Sequence, residues 1–212
     1  VPAHAAFILK QDFPMNAQQQ LTPPAIGEVW PGQGGIYLGL RQYPEGLCHV
    51  IAAEKDLPGR HAYGDYGVKV EAESRADGRA NTAILLAREG KHPAAIAAAS
   101  YTADSHADFY LASIGELHHA WQYAPGSFAT DWYYISSTQY SANYACSMDF
   151  EGGWLNYDVK LNERLVRPSA DSFSNSFLQC FSPDSRERPV PTLFNTTANA
   201  LPSAPSGNQR SG

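Results

Sequence analysis

Apolar positions are arranged differently along successive stretches of the chain. Gly34-Gly35-Ile36-Tyr37-Leu38-Gly39-Leu40 and Leu47-Cys48-His49-Val50-Ile51-Ala52-Ala53 read as strands, joined at Tyr43-Pro44-Glu45-Gly46 into a hairpin. Residues 54–80 are rich in Gly and charge and predict a long loop. Helical patterns follow. Asn81 or Thr82 is the expected cap of Ala83-Ile84-Leu85-Leu86-Ala87, with Gly90 as its stop. Pro93, suited to a first helical position, opens Ala94 to Ala99. Ser113-Ile114-Gly115-Glu116 is a Ser-x-x-Glu capping box, and Ile114, Leu117 and Trp121 form the apolar stripe of a third helix. After Pro125 the pattern returns to short strands, at Asp131 to Thr138, Tyr144 to Phe150, Trp154 to Asp158 and Leu165 to Arg167, with a turn at Glu151-Gly152-Gly153. Helices flanked on both sides by strands predict an α+β domain whose terminal strands pair with each other.

The ends differ from this body. Residues 1–25 carry the polar run Asn16-Ala17-Gln18-Gln19-Gln20 and then Pro23-Pro24, the pattern of an extended arm. The chain opens at Val1, which fits a removed initiator or a processed leader. Residues 171–212, rich in Pro, Ser and Asn toward the end, read as a tail ordered by a partner if at all, and include the glycosylation-type triplet Asn195-Thr196-Thr197. The expected domain spans 26–170.

Composition narrows the function. In 212 residues the charged fraction is 17% and the aromatic fraction 12%, which favours a tyrosine-rich, polar-uncharged surface suited to recognition. The net charge is −6 and the 15 basic residues are scattered, so nucleic-acid binding is not expected. No apolar run reaches the ~18–20 residues of a membrane span, and membrane insertion is not expected either. Cys48, Cys146 and Cys180 form no disulfide framework and no C-x-x-C pair. They read as buried small hydrophobes, or as one disulfide and a leftover thiol.

Several stretches of the body resemble, in order, a known family. Gly34-Gly35-Ile36-Tyr37 is similar to its opening strand, and Gly46 to Ala53 to its "hGLiaA" strand. Asn81-Thr82 and Ala94 to Ala99 are similar to its helix start and Ala-rich helix. Asp108-Phe109-Tyr110-Leu111-Ala112-Ser113-Ile114-Gly115-Glu116-Leu117 resembles its "DWYLPSxxEL" motif, and Tyr134-Ile135-Ser136-Ser137-Thr138 its "YWSST". Lys160 and Arg164-Leu165-Val166-Arg167-Pro168 are similar to its closing motif. The family is the C-terminal domain of collagen-like bacterial adhesins, which also occurs in phage tail and fibre proteins. Phe109, Ala112 and Ile135 depart from its usual Trp, Pro and Trp. The resemblance covers about two thirds of the chain and implies a C-type-lectin-like fold with two or three short helices and antiparallel strands, and a homotrimer.

Residue chemistry points away from catalysis. Ser113 reads as a cap, with no base beside it. Ser136, Ser137 and Thr138 are expected to be buried and bonded to backbone. Glu89-Gly90-Lys91-His92 and Glu116-Leu117-His118-His119 contain Glu-x-x-His, but Gly90 and Pro93 break the first copy. His118 and His119 are therefore expected on the exposed side of the third helix. Neither calcium triplet of the animal lectins is present, and no catalytic residue, metal or cofactor is expected. Trp154, Asn156 and Asp158 fall on one face of a strand, where a ring can stack on a sugar and polar groups can bond it; Trp154 in the core is the competing reading. Gln139 to Tyr144 forms a polar-aromatic loop of the kind used in recognition, or plain solvated surface. The candidate binding surface comprises Tyr140, Asn143, Tyr144, Trp154, Asn156, Tyr157, Asp158 and Asn162.

The expected function is adhesion: a phage virion component (tail, fibre or surface) binding a host glycan or surface protein, with the arms contacting other virion proteins. The virion is preferred to a secreted bacterial adhesin because there is no evident collagen-like or export segment and both ends carry arms. A purely structural decoration or plug protein is the alternative. An enzyme of the formylglycine-generating type, which shares a lectin-like fold, would need a cysteine pair that the spacing of these cysteines does not suggest.

Overall fold

The structure is a computed structural model and describes residues 22–173. Most of the N-terminal arm, the tail beyond Phe173, Cys180 and Asn195 lie outside the described residues. The elements run β1 (Val29–Trp30), β2 (Gly35–Tyr43), β3 (Gly46–Ala52), β4 (His61–Ala62), α1 (Gly78–Leu86), α2 (Pro93–Ala99), β5 (Tyr110–Leu111), α3 (Ile114–Tyr123), β6 (Tyr133–Gln139), β7 (Tyr144–Asp149), β8 (Leu155–Val159), β9 (Glu163–Arg164) and β10 (Pro168–Phe173). The fold is α+β, and its strand pairs are antiparallel.

Five strands form one sheet in the order β1-β2-β3-β10-β5, three form a second in the order β6-β7-β8, and β4 pairs β9. The expected β2–β3 hairpin is present, Tyr43 pairing Gly46. The early and late strands do pair, with Ala52 opposite Ser169 and Cys48 opposite Phe173. β10 thus runs three residues past the 170 boundary read from the pattern. The strand expected at Leu165 to Arg167 is replaced by β9 and β10. Between them Leu165 bridges Tyr134 in parallel, and Val166 and Arg167 turn inward.

One apolar cluster fills the space between the hairpin, α3 and one face of β6–β7, with Leu38, Val50, Ile114, Leu117, Tyr134, Cys146 and Met148 at its centre. A second lies on the opposite face, where Leu85, Ala94, Ala95 and Ala98 close over Ile135, Ala145 and Val166. Alanine is suited to α2 because a short side chain lets the helix backbone approach the sheet closely. Cys48 and Cys146 are both buried free thiols.

Two helix starts show how local and tertiary bonding differ. Ser113 and Glu116 form the expected reciprocal capping box on α3. α1 begins earlier than expected, capped by Asp77 through Ala80 N–H at 2.8 Å. Asn81 and Thr82 are buried inside the helix instead. The Asn81 amide donates to Ser74 O and accepts from Ser74 N–H, while Thr82 Oγ1 lies 3.2 Å from Leu111 O and accepts from Leu111 N–H. The polar pair that looked like a cap ties α1 to its neighbours.

A bulge interrupts β2 at Leu38, where Gly39 takes φ +94°. It leaves the Leu38 carbonyl to accept from His119 Nε2 at 2.9 Å. His118 is exposed as expected, but His119 is half-buried, and burial holds its pKa below the ordinary histidine value against the opposing pull of the Leu38 bond.

Buried polar side chains pin the long loop. Lys160, fully buried, donates to Val68 O at 2.7 Å and Gln139 Oε1 at 2.6 Å, and Gln139 clasps both backbone groups of Val70. Burial pushes the Lys160 ammonium down to about 8. Arg167 donates to Asp56, Ala53 O, Glu54 O and Ser127 O, and stacks over Phe128. Ser136 Oγ donates to Cys146 O and Thr138 Oγ1 to Ser74 O, as expected of buried hydroxyls, while Ser137 accepts from Asn81.

Candidate functional site

The three-stranded sheet sets the geometry. Cross-strand partners point to the same side, so the register Tyr133↔Asp149, Ser147↔Asn156 and Ala145↔Asp158 puts these residues on one face. The Ala145 end of that face lies under the second apolar cluster. The Tyr133–Asp149 end opens to solvent. There Thr130, Asp131, Trp132, Tyr133, Asp149, Glu151, Gly152, Trp154 and Arg164 line a cleft of about 470 Å³.

Its walls are aromatic. Trp154 is 72% exposed, the largest exposure among the large apolar residues described, which rules out the core reading. Its indole lies against Gly152, where any Cβ would collide with the ring. Trp132, itself 38% exposed, carries the Arg60 guanidinium 3.8 Å above its ring. Three carboxylates join the lining. Asp131 and Glu151 are exposed, while Asp149 is nine-tenths buried, with Oδ1 accepting from Gly152 N–H at 2.8 Å. Among the described residues none of the three has a cationic partner within ion-pair distance.

Asp158 is not part of this open surface. It is buried, and its carboxylate accepts from Ser147 Oγ at 2.6 Å, from Arg164 through Nε and Nη2, and from Asn162 Nδ2 at 3.4 Å. Burial alone would raise this carboxyl, but the Arg164 and Ser147 bonds outweigh it and hold the pKa below the ordinary aspartate value. Asp158 therefore fixes Arg164, and with it one wall of the cleft, leaving no free oxygen pattern for a sugar.

The asparagines are also occupied. Lys160 N–H to Asn143 O and Asp149 N–H to Trp154 O set the ladder phase, so the odd residues of β8 turn their backbone groups to the free edge. Asn156 Oδ1 accepts the Tyr157 N–H there, and Asn162 N–H bonds Val159 O. Such caps blunt an edge that would otherwise invite strand pairing. Asn143 enters the β6–β7 turn through its backbone, its N–H donating to Ser141 Oγ.

The tyrosines do gather on the surface. Tyr140, 54% exposed, stacks on Tyr157 with centroids 3.9 Å apart, and Tyr144 is exposed on the neighbouring strand β7. Of the eight residues expected at the binding surface, Tyr140, Tyr144, Trp154 and Tyr157 thus present open aromatic surface, the side chains of Asn156, Asp158 and Asn162 are bonded within the fold, and Asn143 is engaged through its backbone. Sequence reasoning missed Arg60, Asp131, Trp132, Asp149, Glu151 and Arg164. An available signal was Asp131-Trp132 immediately before a core strand, a polar-aromatic pair at a strand entry.

A second concavity, of about 390 Å³, lies across the five-stranded sheet and is lined by Tyr43, Glu45, Cys48, Asp77, Arg79, Asp108 and Asp171. Behind it Glu116 Oε2 accepts from Gly78 and Ser113 N–H, while Oε1 accepts from Tyr43 at 2.7 Å. The Tyr110 hydroxyl lies 3.1 Å from Glu116 Oε1 and 3.0 Å from Asp171 Oδ2. It has one proton to donate, so a proton on a carboxyl is needed for both contacts to be hydrogen bonds. Burial raises the Glu116 pKa against the opposing pull of the bonds it accepts from Tyr43 and Ser113. Asp171 is paired with Arg79.

Among the described residues no group of three His, Cys, Asp or Glu is arranged to hold a metal ion, and no helix is long and apolar enough to cross a membrane. No protein-family model matches the chain, and no curated protein matches it.

Proposed function

We propose that this chain is a non-enzymatic recognition protein with a C-type-lectin-like domain, a phage virion tail, fibre or surface component that binds a host glycan or surface protein. The motif order, the paired early and late strands and the three-stranded sheet beyond the helices support the lectin-like reading. The observation that carries the function is the exposure of Trp154 beside Trp132 across an open cleft; Tyr144 and Tyr157 are exposed on the other face of the same three-stranded sheet. Large rings left in water cost hydrophobic free energy, of order 25 cal/mol per Å² of apolar surface, and a clustered set marks an interaction surface. The reading includes homotrimeric assembly and contact with other virion proteins through the terminal segments.

The test is a cell-binding assay with the full chain on its host, comparing wild type with Trp132→Ala, Trp154→Ala and Tyr144→Ala, each checked for folding by circular dichroism. Saturable binding lost in a folded variant supports the reading. Full binding by a folded Trp132→Ala/Trp154→Ala double variant removes this surface from it. Absence of binding by any form favours a structural virion component.

A further inference from the structure

We propose that the Trp132–Trp154 cleft takes an ammonium group of its ligand, a protonated amine or a quaternary ammonium, seated against the Trp154 indole with Asp149 as its counter-charge. The inference rests on the recognition reading above and specifies its chemistry.

Charge is the first argument. The cleft is lined by the carboxylates of Asp131, Asp149 and Glu151 and by one guanidinium, Arg164, which is already committed to Asp158. Arg60, stacked on Trp132, is a further cation beside the lining. A sulfated or carboxylated glycan would meet uncompensated like charge here, whereas a cation gains from it. Depth is the second. Asp149 is nine-tenths buried, and its backbone anchor at Gly152 fixes the carboxylate at the cleft wall. A charge at the edge of a low-dielectric wall acts more strongly than one surrounded by water. The third is aromatic. Indole has the most favourable ring face for a cation. The chain itself places a cation on Trp132, in Arg60, and leaves Trp154 open. Two sources offer the same group, an amino sugar with its amine free and a choline-type substituent.

Isothermal titration of the full chain at pH 5.5, where sugar amines are protonated, separates the possibilities. The probes are glucosamine tetramer, its fully N-acetylated counterpart, choline chloride and a sulfated polysaccharide. The expected result is that an amine or choline probe binds at least tenfold tighter than the N-acetylated tetramer, with the tighter of the two naming the source. Asp149→Asn, which keeps an oxygen for Gly152, and exposed Glu151→Gln should each weaken that binding severalfold or more, and added salt should weaken it too. Equal or tighter binding of the N-acetylated or sulfated probe overturns the ammonium site, as does no binding by either cationic probe. Cell binding that is still lost in Trp154→Ala after such a result leaves the recognition reading standing. Cell binding unaffected by the Trp132 and Trp154 substitutions removes both.

Discussion

The concavity beside Tyr43 and the cleft beside Trp154 are built from the same materials, aromatic rings and carboxylates, and differ in where their polar groups are spent. At Tyr43 the network closes on itself. Glu116 receives two backbone N–H groups and a tyrosine hydroxyl, Tyr110 links it to Asp171, and Arg79 neutralises Asp171. At Trp154 the network stops at Asp158–Arg164, and beyond it stand two exposed indoles and three carboxylates that, among the described residues, join no ion pair. Polar groups that hold a fold together are satisfied within it. An accessible set left open is free to meet something else, and that contrast, more than pocket size, separates scaffold from surface.

The contrast is most easily broken at the closed network. Glu116→Ala removes the acceptor of Gly78 and Ser113 N–H and of Tyr43, and should cost at least about 3 kcal/mol in chemical denaturation. A loss under about 1 kcal/mol would mean that the network is not structural. Arg164→Ala strands the buried Asp158 carboxylate. It should cost about 2–4 kcal/mol, discounted because the guanidinium is partly exposed. Ligand binding should weaken with it, since Arg164 forms a wall of the cleft; a variant of normal stability would show that Asp158 is solvated instead.

Glu116→Gln sharpens the protonation argument. The Glu116 pKa is raised in the fold, so its proton-linked stability is fully present below the unfolded value of about 4.3 and is lost as pH rises through the folded value. The glutamine variant should lack that slope while keeping the fold, read as the difference between the two pH–stability curves. Parallel curves would put the proton elsewhere. The smallest stability effect belongs to the open region. Trp154→Ala should change stability by no more than about 0.5 kcal/mol, while binding falls tenfold or more. A large loss of stability would make Trp154 a structural residue despite its exposure.

What the sequence revealed follows the range of the forces involved. The Ser113 capping box and the β2–β3 hairpin are set by residues within a few positions of each other, and both were legible. Asn81 and Thr82 were misread because a side chain that caps a helix and one that ties it to a neighbour are the same residue types, and their partners Ser74 and Leu111 differ only in three dimensions. The alternation at 154, 156 and 158 held as geometry, but Arg164 and Ser147 consume Asp158 and leave Trp154 as the open residue of the three. The cleft was invisible for the same reason. It is assembled from the entry to β6, the β7–β8 turn and β9, which no local pattern connects. The exposed tyrosines at 140 and 144 were legible because polar-aromatic loops report themselves in composition.

The most direct test of the account is a hydrogen-exchange footprint of the full chain with and without the host surface material that retains it. The account predicts protection at residues 130–133 and 149–157, with residues 108–117 and 168–173 unchanged because they are already closed. Protection confined to the Tyr43–Asp171 side, or to the terminal segments, would contradict it.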